Sequence, residues 1–236
     1  MHRTLLVVTG LSREARAAEG LGITTVCSGG DSVRLSDILG DIDPRLHWGV
    51  VSFGIAGGLD PDLEPGHLVL GRSVVHDEEA YGVCDDLRDT LRRTLFSRDL
   101  RVVEGAVAGV NAAVMTPEGK AALRATSGAV AVDMESHVAG SWAARHGLPF
   151  GIVRVVSDPA HRALPALAAD ALNPDGGIAI LRVLAGLAKA PGQIGALANA
   201  GLDARIAFAA LAGAGRCLGP RPMARASEAA DELELA

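Results

Sequence analysis

Gly128-Ala129-Val130-Ala131-Val132-Asp133-Met134-Glu135-Ser136 is the stretch around which the fold is organised. An apolar run that ends in Asp-Met-Glu-Ser reads as a buried strand passing into a helix. Asp133 and Ser136 suit a helix N-terminus, where side-chain oxygens meet unpaired backbone N–H groups. Glu135 then stands at a strand end, at the mouth of an α/β sheet, where such folds hold their ligands. A carboxylate there can accept hydrogen bonds from the hydroxyls of a sugar. Met134 beside it offers a soft apolar face to a sugar ring. On its own the stretch also reads as a capping carboxylate next to a core methionine.

Short apolar and β-branched runs lie on both sides of this centre. Residues 4–9, 23–27, 48–54, 66–70, 101–110 and 150–156 read as strands, the continuous runs as parallel strands buried on both faces. Helices are expected over 13–20, 33–39, 85–97, 117–125 and 136–146, with Ser12 capping the first and Pro117 in the first turn of its helix. His76, Asp77, Glu78 and Glu79 read as a polar loop. Pro159 cannot donate to a ladder, so the strand before it stops there. Strands alternating with helices argue for a largely parallel sheet covered on both faces.

After Asp158 the character changes. Residues 161–172 are rich in Ala and Leu, Asn173-Pro174-Asp175-Gly176-Gly177 is a turn, and 178–189 and 194–218 read as helices with mainly basic charges. Residues 1–218 are expected to form one domain with 178–218 as its C-terminal helical segment, and the polar tail 219–236 to be poorly ordered.

Composition narrows the function. A chain of 236 residues, 49% hydrophobic, can bury a sizeable core in one α/β domain. A net charge of −6 argues against non-specific nucleic-acid binding, and 3% aromatics against stacking platforms for single strands. Cys27, Cys84 and Cys217 are odd in number and widely spaced, which suggests a reducing compartment with neither disulfides nor zinc. His47, His67, His76, His137, His146 and His161 show no metal-ligand spacing, so no metal is expected. The N-terminal segment lacks a long apolar core and reads as a first strand, not a signal peptide. No uncharged apolar stretch approaches the ~20 residues of a membrane span. A cytoplasmic protein is expected.

Four strand ends carry polar or glycine-rich signals: Gly10 with Glu14, Gly54 to Gly58, Asp133 to Ser136, and Ser157-Asp158. Parallel strands bring their C-terminal ends to one edge, so Glu14, Glu135 and Asp158 can share a pocket. Three acids in one partly closed pocket can titrate differently, which suits acid/base chemistry. Gly54, Ala56, Gly57 and Gly58 read as a turn whose backbone can approach a small ligand, with N–H groups able to hold an anion.

V-V-S-F-G-I-A-G-G-L-D-P-D-L-E-P-G-H at 50–67, V-D-M-E-S at 132–136 and V-R-V-V-S-D at 153–158 resemble the nucleoside phosphorylase/nucleosidase superfamily in order and spacing. G-L-S-R-E at 10–14 is similar to the glycine and acidic cluster of methylthioadenosine/S-adenosylhomocysteine nucleosidases. Within the superfamily the chain looks most like the hopanoid-associated phosphorylases. The cues are C-S-G-G-D at 27–31, S-D-P-A-H-R-A-L-P at 157–165, N-P-D-G-G at 173–177 and A-P-G-Q-I at 190–194.

The resemblance implies a three-layer α/β/α sandwich with a central mixed, largely parallel sheet. It implies cleavage of the N-glycosidic bond of an adenine nucleoside, with adenine release from adenosylhopane as the closest match. Asp158 is then the general acid that protonates the base at N7, and Glu14 the group that activates water. Glu135 binds the ribose hydroxyls and Met134 packs on the ribose. Val114, Met115 and Ser157 line the base pocket, and Ile55, Ala56 and Gly57 lie near the ribose or an anion. Arg154 is expected to buttress the strand or to pair with an acid, and is assigned no catalytic role. No cofactor is implied beyond inorganic phosphate as an optional co-substrate. Glu14 favours hydrolysis, and the G-D-P-x-R phosphate motif of other phosphorylases is absent. Arg13, Arg16 and Arg34 are the alternative source of positive charge for a phosphate.

Two rivals stand beside this expectation: a nucleosidase acting on methylthioadenosine or S-adenosylhomocysteine, and a non-catalytic nucleoside- or lipid-binding protein on the same fold. A lipid-linked substrate would need an apolar approach, for which residues 178–218 are the candidate, at a membrane surface or packed on the sheet. Homo-oligomers are the rule among relatives and are expected here.

Overall fold

Residues 3–96, 100–165 and 194–218 are described by the computed structural model of the chain. The sheet grows from β1 (Thr4–Thr9), the T-L-L-V-V-T run, which is buried along almost its whole length. Its odd and even residues divide the core. Leu5 and Val7 pack on one face with Phe53, Val153 and Val155, while Leu6 and Val8 pack on the other with Leu35, Val50 and Val156. Helices α1 (Ser12–Ala18), α3 (Asp85–Phe96) and α6 (Ile194–Gly215) cover the first face. Helices α2 (Ser32–Gly40) and α5 (Ser136–Arg145) cover the second. Each fully buried Leu or Val contributes about 1.5–3 kcal/mol relative to exposure, so this two-sided core holds the layers together.

β2 (Ile23–Cys27), β1 and β3 (His47–Gly58) run parallel. β8 (Phe150–Asp158) adds parallel to β3, and β4 (Leu68–His76) adds antiparallel to β8. β4 also pairs with β5 (Glu79–Gly82) in a hairpin and in parallel with β6 (Val102–Gly109). β6 pairs in parallel with β7 (Ala131–Asp133), which returns antiparallel to Gly57 and Gly58 of β3. The α/β fold with a mixed, largely parallel sheet is as expected. Closure is the feature the sequence did not convey: β3, β7, β6, β4 and β8 pair in a ring.

The ring leaves a gap that positions the site. Ser52 pairs with both β1 and β8, and Gly57 with both β7 and β8, so β1 and β7 lie one after the other on the same edge of β3. Between them, residues 53–56 have no strand on that edge. β1 and β7 both point their C-terminal ends into the gap. This is the local equivalent of a topological switch point.

Several expectations change. β3 continues through Gly58, so Gly54 to Gly58 is strand and not a turn. Glycines are used there because neighbours press on the strand; a Cβ on Gly54 would lie 2.7 Å from Glu14 and from Arg154. Glu79 opens β5 and does not belong to a loop. Leu11, not Ser12, is the N-cap of α1, and Glu14 supplies the hydrogen bonds to the turn. The part of the C-terminal segment expected over 194–218 packs on the sheet: Ala207, Phe208, Leu211 and Ala214 of α6 enter the core, and Arg13 stacks 4.2 Å over the Phe208 ring. Among the described residues no helix is long and apolar enough to cross a membrane. The helix expected over 178–189, the turn at 173–177 and the tail from 219 lie outside the described residues.

Candidate active site

The gap on the edge of β3 is filled by two buried side chains from other elements. Glu14, one turn into α1, is 1% exposed. Its Oε2 accepts from the backbone N–H groups of Gly10 and Leu11, each at 2.8 Å, and its Oε1 accepts from Ile55 N at 2.8 Å. Arg154, in the middle of β8 and fully buried, donates through Nη1 to Ile55 O at 3.3 Å. The backbone donor and acceptor of Ile55, unpaired in the sheet, are thus satisfied by one acid and one base.

Arg154 also gathers the acids of the central stretch. Its Nη1 lies 3.2 Å from Glu135 Oε2, and its Nε lies 2.7 Å from Asp133 Oδ2 as a charge contact without hydrogen-bond alignment. Its Nη2 donates to Ser52 Oγ at 2.5 Å and to Ser136 Oγ at 3.4 Å. Asp133 Oδ1 accepts from Ser136 N at 2.9 Å and Glu135 N at 3.2 Å, and Oδ2 takes the Ser136 hydroxyl. Asp133 and Ser136 therefore shape the start of α5 as expected, although Glu135 is the N-cap residue. Glu135 faces β1: a Cβ on Gly10 would lie 2.5 Å from its Oε1.

The electrostatics follow from burying three acids around one cation. Burial disfavours the Arg154 charge, and Asp133, Glu135 and Glu14 more than offset this, so its pKa is raised. Burial raises Glu14, against the opposing effects of Arg154 and of its three backbone donors. Burial pushes Glu135 up to about 7, opposed by Arg154 and reinforced by repulsion from Asp133 and Glu14. Glu135 can therefore change protonation near neutral pH.

Asp158 stands at the end of β8. The register of β8 on β3 slips between Ala56 and Gly57, so Ser157 is an extra residue and Asp158 comes opposite Gly57. Such a bulge re-aims the side chains beside it. Asp158 is 7% exposed, and its Oδ2 lies 3.2 Å from where a Gly57 Cβ would stand. Oδ1 accepts from Ser157 Oγ at 2.7 Å, and Ser157 Oγ is also 3.2 Å from Ala56 O. Oδ2 accepts from Lys120 Nζ at 2.6 Å. Burial raises the Asp158 pKa, against the charge and hydrogen bond of Lys120 and the hydrogen bond of Ser157.

The predicted residues thus fall into two groups joined by β3. Glu14, Glu135 and Ile55 meet at one end; Asp158, Ser157, Ala56 and Gly57 meet one to two residues further on, about 7 Å along the strand at Gly57. Met134, half-buried, lies between Asp133 and Glu135 of the first group. Val114 and Met115 are also half-buried, in the segment before α4 (Pro117–Ser127). Val114 packs against the Leu59, Ala108, Ala129 and Val132 cluster, and Met115 O accepts from Leu164 N at 2.9 Å, which joins this segment to the chain after Asp158. Arg154 pairs with acids, one of the two places the sequence leaves open for it. Lys120 is the residue that sequence reasoning misses. Its spacing three residues before the inward-packed Leu123 was the available signal. Arg13, one of the cations considered for phosphate, is engaged with Phe208. Among the described residues no cluster of His, Cys, Asp and Glu could hold a metal. A cleft lined by Leu39, Ile42, Pro44, Trp142 and Arg145 lies elsewhere and contains none of these acids.

The fold and this acid-lined gap define the class. The family model of the phosphorylase superfamily matches residues 48–175, and the chain belongs to that superfamily. The 5′-methylthioadenosine/S-adenosylhomocysteine nucleosidase of Neisseria meningitidis, solved with methylthio-immucillin-A, is similar to it at 19% identity and TM-score 0.68, over 92% of this chain and 97% of that one. The corresponding nucleosidase of Helicobacter pylori is similar at 15% identity and TM-score 0.66, over 92% and 96%. Futalosine hydrolase of Helicobacter pylori is similar at 18% identity and TM-score 0.60, over 67% and 88%. At these identities the likeness is one of fold. No curated protein matches the sequence.

Proposed function

We propose that the protein cleaves the N-glycosidic bond of an adenine nucleoside by hydrolysis. The observation that carries this is the placement of Glu14. Its carboxylate takes the N–H groups of Gly10, Leu11 and Ile55, the donors in the gap that an incoming phosphate would use. An internal carboxylate in that cradle repels a second anion and leaves water as the nucleophile. Carboxylate oxygens offer about four lone-pair sites, three of which are taken, so one remains to accept from a water.

The sugar then lies between Glu14 and Glu135, with Glu135 accepting from its hydroxyls and Met134 against its ring. The base extends along β3 to Asp158. Asp158 gives a proton to N7, the C1′–N9 pair leaves with the base, and water adds to C1′ as its proton passes to Glu14. Glu135, whose ionised form Arg154 favours, sets negative charge where the oxocarbenium develops, which counts most in the transition state.

The closest subfamily resemblance supports adenosylhopane as the substrate, with adenine and a ribosyl hopane as products. Methylthioadenosine is the second reading, favoured by Glu14 itself and by the neighbours of nucleosidase fold. Adenine release from each compound, with and without phosphate, is the test. Turnover without phosphate is expected, and Asp158→Asn should lower it by about 10²–10⁴-fold, the usual worth of a general acid. An Asp158→Asn protein as active as the parent would overturn Asp158 as the general acid, and a parent that releases adenine from neither compound would leave a binding protein on this fold.

A further inference from the structure

Lys120 is the residue the mechanism above leaves unused, and it is the one fully buried residue of α4. Its ammonium donates to Asp158 Oδ2 at 2.6 Å, Pro159 O at 2.9 Å and Arg162 O at 3.1 Å, so its three protons each have an acceptor. A buried ammonium is retained only when paired in this way. It grips both the Asp158 side chain and the backbone that follows. From the other elements around Asp158, the chain after β8 brings Arg162, itself paired with Asp203 of α6. β3 contributes only uncharged Ala56 and Gly57.

We propose that Lys120 positions Asp158 for proton transfer: its ammonium fixes Oδ2 as an acceptor, so that the acid proton is carried on Oδ1 and leaves from there to the base. This rests on the assignment of Asp158 as general acid. An oxygen that already accepts from an ammonium is the poorer proton site. Oδ1 has a neutral neighbour, Ser157 Oγ, which can accept from it while donating to Ala56 O. When the nucleoside binds, the Oδ1–H turns to N7. The Oδ1–H bond breaks, N7–H forms, and the C1′–N9 pair departs with neutral adenine. Lys120 keeps its own protons throughout. It also opposes protonation of Asp158, and so limits how far into the alkaline range the acid stays loaded.

The test compares two leaving groups on the full chain. Methylthioadenosine, or adenosylhopane if only that is turned over, needs a proton to release its base; a riboside of 4-nitrophenol does not. Lys120→Met should cut kcat for the adenine nucleoside at least about tenfold. The nitrophenyl riboside should change little, and the alkaline limb of kcat/KM should move up by about one pH unit. If that variant does not fold, Lys120→Arg keeps the charge and displaces it. It should show the same selective loss with the parental alkaline limb. Equal losses on both substrates, or a variant with the parental ratio and profile, would overturn the role of Lys120 and leave the function intact. A parent that cleaves no adenine nucleoside would overturn the acid assignment and the role of Lys120 together.

Discussion

Glu135 and His137 sit two residues apart and respond to pH in opposite senses. The folded pKa of Glu135 is raised from 4.5 to about 7, so its contribution to stability is full below 4.5 and is lost as pH rises through about 7. His137 is lowered from 6.5 to about 4 by burial and by stacked His76, so its contribution is present above 6.5 and lost as pH falls through about 4. Glu135→Gln isolates the first effect. The difference in Tm, variant minus parent, should rise with pH between 4.5 and about 7. A flat or falling difference in thermal melts would mean that Glu135 is not held protonated by burial. Gly54 tests the cradle: with alanine, the new Cβ would press on Glu14 and Arg154 at 2.7 Å. We expect stability to fall by about 1–3 kcal/mol, as for overpacking elsewhere, and turnover to fall with it. A denaturant titration and an adenine-release assay would read the two. Glu14, Glu135 and Asp158 were legible in the sequence because each follows closely on an apolar run, within a short motif. Lys120 was not, because a lysine within a polar helix reads as a solvated one until its partner across the fold is seen.

At the scale of elements, β3 was half legible. Its apolar beginning announced a strand, but Gly54-Ile55-Ala56-Gly57-Gly58 has the composition of a turn. The glycines reflect crowding by Glu14, Arg154, Val132 and Asp158, which a local pattern does not encode. The bulge at Ser157 was hidden for the same reason, since register belongs to a pair of strands and not to one. α6 carries its own prediction. Gly215 lies so close to α1 that a Cβ there would be 1.9 Å from Ala17 O. α1 holds Glu14, so Gly215→Val should both destabilise the protein and lower turnover. Loss of stability of about 1–3 kcal/mol in denaturant titration is expected. A variant of parental stability would show that the two helices can separate without cost.

Over the whole molecule, the ring of β3, β7, β6, β4 and β8 explains why acids from distant parts of the chain converge. β1 and β7 end facing each other on one edge of β3, and β8 runs along the other. Each of the three strands delivers its acid within a few residues of its end. The alternation of strands and helices made an α/β class legible. Which edge β7 would choose was not, because a three-residue strand carries too little pattern to fix its partner. The ring also explains why the acids need not repel the fold apart: Arg154 crosses the gap from β8 and offsets part of the charge where Glu14, Asp133 and Glu135 meet, while burial favours the protonated forms of Glu14 and Glu135.

The claim that Glu14 fills the anion cradle and directs water to the sugar is tested most directly by isotope. Methylthioadenosine and adenosylhopane would be cleaved in ¹⁸O-labelled water with unlabelled phosphate present, and the sugar products weighed by mass spectrometry. A free sugar carrying one ¹⁸O at C1′ is predicted, at a rate independent of phosphate and lost in Glu14→Gln. An unlabelled sugar 1-phosphate would contradict it, since phosphate would then have entered the cradle that Glu14 occupies.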